Sequence, residues 1–192
     1  MIQSVDISQA VNALGELARR VTKSKFNQAM ARSINRSVSS GKTAASKAIR
    51  KSYKINKKDL DAKMGTKKAS QTRLVGTIST HGVPIALGKF KPVQRKKGAT
   101  VNITGRRQLI PHSFIATMPN GHRDVFMRGS YRPTGFEYKA GGRLPIRNLV
   151  TVSQGVMFSN PVVIEKTHQK IDEMFPARLT HEINVILAGI VK

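Results

Sequence analysis

Apolar residues return at helical steps along the first part of the chain. Ile7, Val11, Leu14, Ala18 and Val21 recur every three or four positions, the period of an amphipathic helix, and Asp6 with Gln9 three residues on has the spacing of a capping box. After Val21 the stripe rotates: Phe26, Met30 and Ile34 continue at steps of four on another face. The pattern predicts helix over residues 5–38 with a bend or break at 22–25. A second break is expected at 37–41 (SVSSG), where Ser and Gly weaken helical propensity. Residues 43–52 read as helix again, with Ala45, Ala48 and Ile49 set between Lys47, Arg50 and Lys51, and Asn56 is placed to cap a short helix over 57–64.

From residue 72 the period changes to two. Residues 72–80, rich in Thr, Val and Ile, predict a strand, followed by 84–90 and 100–104. Between the last two lies PVQRKKG (92–98), a basic loop or hairpin tip. Residues 113–118 and 123–128 flank Pro119-Asn120-Gly121, and Asn-Gly between two such runs is a strong hairpin signal. Residues 129–142 read as a Gly/Tyr/Arg loop and 144–152 as a last strand. Asn160-Pro161 opens a helix, Asn as cap and Pro at the first helical position. Ile164, His168, Ile171, Phe175, Leu179, Ile183, Ile186 and Ile190 follow at steps of three or four, with Pro176 expected to kink or split the run. The order predicts an α+β fold: N-terminal helices (1–64), a central antiparallel β-sheet (65–158) and a C-terminal helix packing on the sheet (159–192), together one compact domain.

Charge changes this picture more than composition does. Of 192 residues, 39% are apolar, enough for a packed core, but Lys and Arg number 34 against 10 Asp and Glu, a net charge of +24. The excess is concentrated. Residues 17–123 hold 25 of the cations and only Asp59 and Asp61. A body so charged repels itself unless a polyanion or an acidic partner offsets it. The candidate contact residues are Arg19, Arg20 and Lys23; Lys47, Arg50 and Lys51; Lys89 and Lys91; Arg95, Lys96 and Lys97 at the basic tip; and Arg106 with Arg107. Lys54, Lys57 and Lys58 belong to the same basic stretches. Tyr53 and Phe90 are the only interleaved aromatics, so contact with a phosphate backbone is favoured over base stacking.

Chemistry is harder to find. The chain has no Cys, which removes disulfides, thiolate metal sites and thiol catalysis. Gly41-Lys42-Thr43 imitates the end of a phosphate-binding loop, but Arg36 stands where the first Gly is needed. The histidines (His81, His112, His122, His168, His181) lack zinc-helix spacing. His122 and Asp124 are expected to pair beside the hairpin turn, yet catalysis needs a nucleophile such as Ser113 nearby. Carboxylates are too scarce in the basic region for a metal-dependent nuclease. Catalytic, cofactor and metal sites are each read as none. MIQSVD is not a secretory signal, and the longest apolar stretch, 183–191, is too short to span a bilayer. The expectation is a soluble intracellular protein with no membrane partner.

An ordered series of segments carries a family resemblance. It runs from Met30-Ala31-Arg32-Ser33-Ile34-Asn35-Arg36 through Tyr53-Lys54-Ile55 and Pro84-Ile85-Ala86-Leu87-Gly88-Lys89-Phe90. It continues with Arg95-Lys96-Lys97-Gly98, Ile110-Pro111-His112-Ser113-Phe114-Ile115 and Met118-Pro119-Asn120-Gly121-His122. Val125-Phe126-Met127-Arg128 and Arg143-Leu144-Pro145-Ile146 close it. In this the chain resembles the minor tail protein Z family of tailed bacteriophages, the tail-completion proteins. The resemblance implies a non-enzymatic virion protein at the tail and neck, assembled in the host cytoplasm. It implies a ring of copies, commonly a homohexamer, at the head-proximal end of the tail tube that enables head–tail joining. The implied partners are the tail terminator or tail tube, head–neck connector proteins and genomic DNA in the lumen. The competing reading, from charge alone, is a cytosolic sequence-nonspecific nucleic-acid-binding protein.

Overall fold

The computed structural model describes residues 23–132, 135–138 and 145–188, and the side chains of these except 130–132 and 135–138. Helix α1 (Lys23–Ser52) is followed by α2 (Lys57–Asp61), β1 (Met64–Lys67), β2 (Thr77–Thr80) and β3 (Pro84–Ala86). A 3-10 turn (Leu87–Phe90) leads to β4 (Val93–Arg95), β5 (Gly98–Asn102), β6 (Arg107–Pro111), β7 (Ser113–Thr117), β8 (Arg123–Arg132) and β9 (Gly135–Tyr138). Then come β10 (Ile146–Asn148), β11 (Val150–Ser153), α3 (Gln154–Phe158) and α4 (Pro161–Ala188). The fold is α+β. Its strands are divided among small sheets: β1 with β2, β3 with β11, β4-β5-β6, and β10-β8-β7 with β9 beside β8. The apolar stripe at 7–21, its capping box, and Arg19 and Arg20 lie outside the described residues.

The chain forms two compact units. The first comprises, among the described residues, 23–44, 65–79 and 165–188. Met30, Leu179 and Ile183 are buried at its centre, with Phe26, Leu74, Phe175 and Leu187 against them. The expected break at 37–41 is absent: α1 runs through it. Ser33 and Ser37 are buried, and their hydroxyls donate to the carbonyls of Ala29 and Ser33, each at 2.9 Å. Their polarity is thus absorbed within the helix. At Gly41 a Cβ would lie 2.7 Å from Ile171 Cγ1. The small residues that look like a helix stop are what lets α4 approach α1 closely. The predicted strand at 72–80 shrinks to β2, because residues before it are tied to α1 instead. Asn35 donates to Ala69 O (3.0 Å) and accepts from Ala69 N (2.7 Å), and Asn27 donates to Gln71 O (3.1 Å). Pro176 does not split α4; it is exposed, where water can meet the carbonyl that its missing N–H leaves unpaired.

The second unit comprises 45–64 and, among the described residues after it, 80–132, 135–138 and 145–164. Ile49, Leu60, Phe90, Val101, Val125 and Met157 are among its most deeply buried apolar side chains. Helix α2 stops at Asp61, short of the expected Met64, which opens β1. Asn56 stands at the N-cap position without a side-chain cap bond; its carbonyl accepts from Leu60 N at 3.1 Å. The hairpin at 118–122 forms as read, but through a three-residue loop: Met118 N donates to His122 O (2.9 Å) and only Gly121 takes positive φ, 78°. The basic segment 92–98 is a hairpin, β4 antiparallel to β5 with Arg95 opposite Gly98. Strands β6 and β9 fall where no strand was expected. Leu149 divides the predicted last strand in two, its N–H donating to Val125 O (2.8 Å). Asn160 caps α4 as expected, accepting from Val162 N at 3.0 Å.

Candidate basic cleft

Three local structures of the second unit converge on one cleft. The first is the end of α1, where Arg50 lies in the last turn, a position that favours cations. The chain leaves it through Lys54, whose N–H donates to Ile103 O (2.7 Å), and enters α2 at Asn56 and Lys57. The second is the 3-10 turn, which buries Phe90 completely and ends on Lys91 in the left-handed region (φ 50°, ψ 60°). The third is the exit from β5: Asn102 Oδ1 accepts from Gly105 N (2.9 Å), and Arg107 begins β6. The resulting cleft of about 300 Å³ is lined by Arg50, Lys54, Lys57, Lys91 and Arg107 with Ile55, Asn56, Phe90 and Asn102. Five cations converge there and no carboxylate joins them.

Lys91 also lines a second cleft of about 510 Å³, with Lys89, His122, Arg123 and Asp124 among its walls. Asp124 is fully buried. Its Oδ1 accepts from Gly88 N (2.6 Å) and Val125 N (2.7 Å), and its Oδ2 meets His122 Nε2 at 3.2 Å. Gly88 is required for this: a Cβ there would lie 2.8 Å from Oδ1. The expected His122–Asp124 pair is therefore present, but the carboxylate holds the 3-10 turn to β8. Ser113, the nucleophile such a pair would need, is engaged elsewhere. It donates to Ile110 O (2.7 Å) and accepts from Ala99 N (2.9 Å), and it lies three positions along β7 from Ala116, the residue opposite Asp124. That spacing is roughly 10 Å. Among the described residues no three His, Asp or Glu side chains gather as a metal set.

The remaining carboxylates near the clefts are also committed. Asp59 Oδ1 holds Lys89 Nζ at 2.8 Å, and Asp61 accepts from Ser46 Oγ at 2.8 Å with Lys57 at 4.0 Å. Of the candidate residues, Arg50, Lys91 and Arg107 share the first cleft, and Lys89 lines the second. Lys47 and Lys51 stand on exposed positions of α1, Arg106 in the exposed bend before β6, and Arg95, Lys96 and Lys97 at the exposed β4–β5 tip. Lys23 begins α1 in the first unit. Lys54 and Lys57, which belong to the basic stretches without being candidates, and Arg123 also line the clefts. Lys54 was findable as the next cation in the basic stretch after Arg50 and Lys51; Arg123 reaches its cleft only through the β7–β8 pairing.

A family model described as prophage minor tail protein Z matches residues 6–192. No curated protein and no solved structure matches the chain. Among the described residues no helix is long and apolar enough to cross a membrane.

Proposed function

From the premise that the chain belongs to the prophage minor tail protein Z family, phage structural proteins of the virion tail, we propose that it completes the tail. Copies form a ring at the head-proximal end of the tube, enabling head–tail joining, and the basic cleft of the second unit faces DNA or acidic neighbours there. Family membership favours this over a cytosolic nucleic-acid-binding module. The observation that carries the electrostatic part is the cleft itself: Arg50, Lys54, Lys57, Lys91 and Arg107 converge with no carboxylate among them. Cations in such a hollow focus the field and attract a chain of phosphates without reading its sequence.

Two experiments test the reading. Particles assembled without the protein are expected to carry tails that fail to join heads; normal infectious particles would overturn the structural role. The double variant Arg50→Gln, Arg107→Gln is expected to bind duplex DNA about tenfold more weakly and to lower the slope of log affinity against log salt by about 2. Thermal stability should be unchanged, since exposed substitutions move it by only about 0.5 kcal/mol. An unchanged salt slope removes the cleft from the DNA contact.

A further inference from the structure

The charge distribution has a gap as well as a peak. Residues 148–164 contain no Lys, Arg, Asp or Glu, the longest such run in a chain that is 23% charged, and residues 74–88 form another. The second unit brings parts of the two runs together. Strand β3 lies antiparallel to β11, Val150 opposite Ala86 and Thr151 opposite Ile85. Residues directly opposite share a sheet face. Ile85 is buried with Thr151 beside it, while Val150, opposite the half-buried Ala86, is exposed; the register then shifts past Thr151, which sets Pro84 opposite Ser153 and leaves Pro84 and Val152 exposed as well. The usual sense of a half-buried strand is inverted here: the valines of β11 point out, while Thr151 and Ser153 are half-buried.

The apolar surface extends beyond the strands. Val83 and Val156 are each 56% exposed. They neighbour Gly82 and Gly155, which approach closely: a Cβ on Gly155 would lie 3.8 Å from Gly82 Cα. Among the described residues β3 and β11 pair only with each other, so each keeps one open edge. Exposed valines beside unpaired backbone are a template for association.

We propose that this charge-free face is the surface on which a second copy of the chain docks. The inference rests on the reading that the protein works as an assembly of copies, and it names where they meet. The argument is electrostatic. Every copy carries +24, so two copies repel each other least where neither presents a cation, and the residues of this face carry none. An acidic partner gains more from the basic clefts than from a valine surface. The two faces therefore divide the work: like copies on the neutral face, a polyanion on the basic one.

Their salt responses are opposite, which makes the division measurable. Sedimentation of the full chain is expected to show self-association that strengthens from low to high salt, as repulsion between copies is screened. DNA binding weakens over the same range. Val152→Lys should reduce self-association about 100-fold by burying an unpaired charge between copies, with the circular dichroism spectrum and thermal melt unchanged. Should that variant misfold, Val152→Cys gives a second readout, since the chain has no other thiol. Its maleimide labelling should be at least tenfold slower in assembled than in monomeric fractions, by about 1.4 kcal/mol of protection. Assemblies as tight as wild type in Val152→Lys, or equal labelling in both fractions, overturn this face and leave the ring reading standing on another surface. A wild-type chain that stays monomeric at every salt concentration overturns both.

Discussion

Within the first unit, 14 Lys and Arg share the chain with six Asp and Glu; in the second, 20 share it with Asp59, Asp61, Asp124 and Glu137. The carboxylates are also used differently. In the first unit the described ones sit at the helix surface, Glu182 opposite Arg32 and Glu173 beside Lys170. In the second, the described carboxylates are consumed by construction: Asp124 ties a turn to a strand, Asp59 holds Lys89, and Asp61 holds Ser46. What remains is an excess of cations over these acids, collected around Lys91. Surplus charge in the second unit is what survives after its acids have been used as staples.

Glycine draws the comparison most sharply. At Gly98 φ is 150°, and a Cβ would collide with the carbonyl oxygen of Ile110, a backbone atom fixed by the pairing of β5 with β6. Gly98→Ala is expected to lose about 3 kcal/mol in urea denaturation through backbone strain and a broken ladder. At Gly41 the obstacle is the side chain of Ile171, which keeps one χ1 rotamer in its helix but can move with that helix where a paired ladder cannot, and Ala gains up to about 1 kcal/mol of helical propensity. Gly41→Ala should therefore stay within about 1 kcal/mol of wild type. Equal losses at the two sites would erase the distinction between a backbone-locked sheet and side-chain-packed helices.

Lys91 is the next test, with a smaller effect and two opposed readouts. A lysine in the left-handed region is strained, and it persists where it lines both clefts. Lys91→Gly should stabilise the fold by about 0.5 kcal/mol, because glycine adopts this conformation freely. It should also lower the salt slope of DNA binding by about 1. A residue kept for folding alone would show neither the gain nor the loss.

The α+β class was legible because steps of three and four give way to a period of two and then return over a long run. The hairpin at 118–122 was legible because Asn120-Gly121 is a chemical signal rather than an average one. What could not be read depends on contacts between distant residues. The serines and glycine at 37–41 look like a helix stop until Ile171 is seen to need the space beside Gly41. Residues 72–76 look like the start of a strand until Asn35 and Asn27 are seen to tie the chain just before them to α1, at Ala69 and Gln71. The basic candidates were visible as a list of cations. The grouping of Arg50, Lys54, Lys57, Lys91 and Arg107 was not, since three separate segments supply it. The inverted face of β11 was hidden for the same reason: alternation reveals two faces but not which one meets the core.

The smallest expected effect distinguishes local from total charge. Arg32 and Glu182 lie 3.4 Å apart in the first unit, their side chains 55% and 19% exposed. Glu182→Gln keeps the shape and a hydrogen-bond acceptor, and a pair this open to solvent contributes about 0.5 kcal/mol or less, shrinking as salt is added. The substitution raises the net charge by one without touching either cleft. If DNA affinity follows the whole-molecule charge, it should rise with this variant and its salt slope should steepen. If affinity is set where five cations converge, titration should give the wild-type curve at every salt concentration, and that is the outcome the charge geometry of the second unit requires.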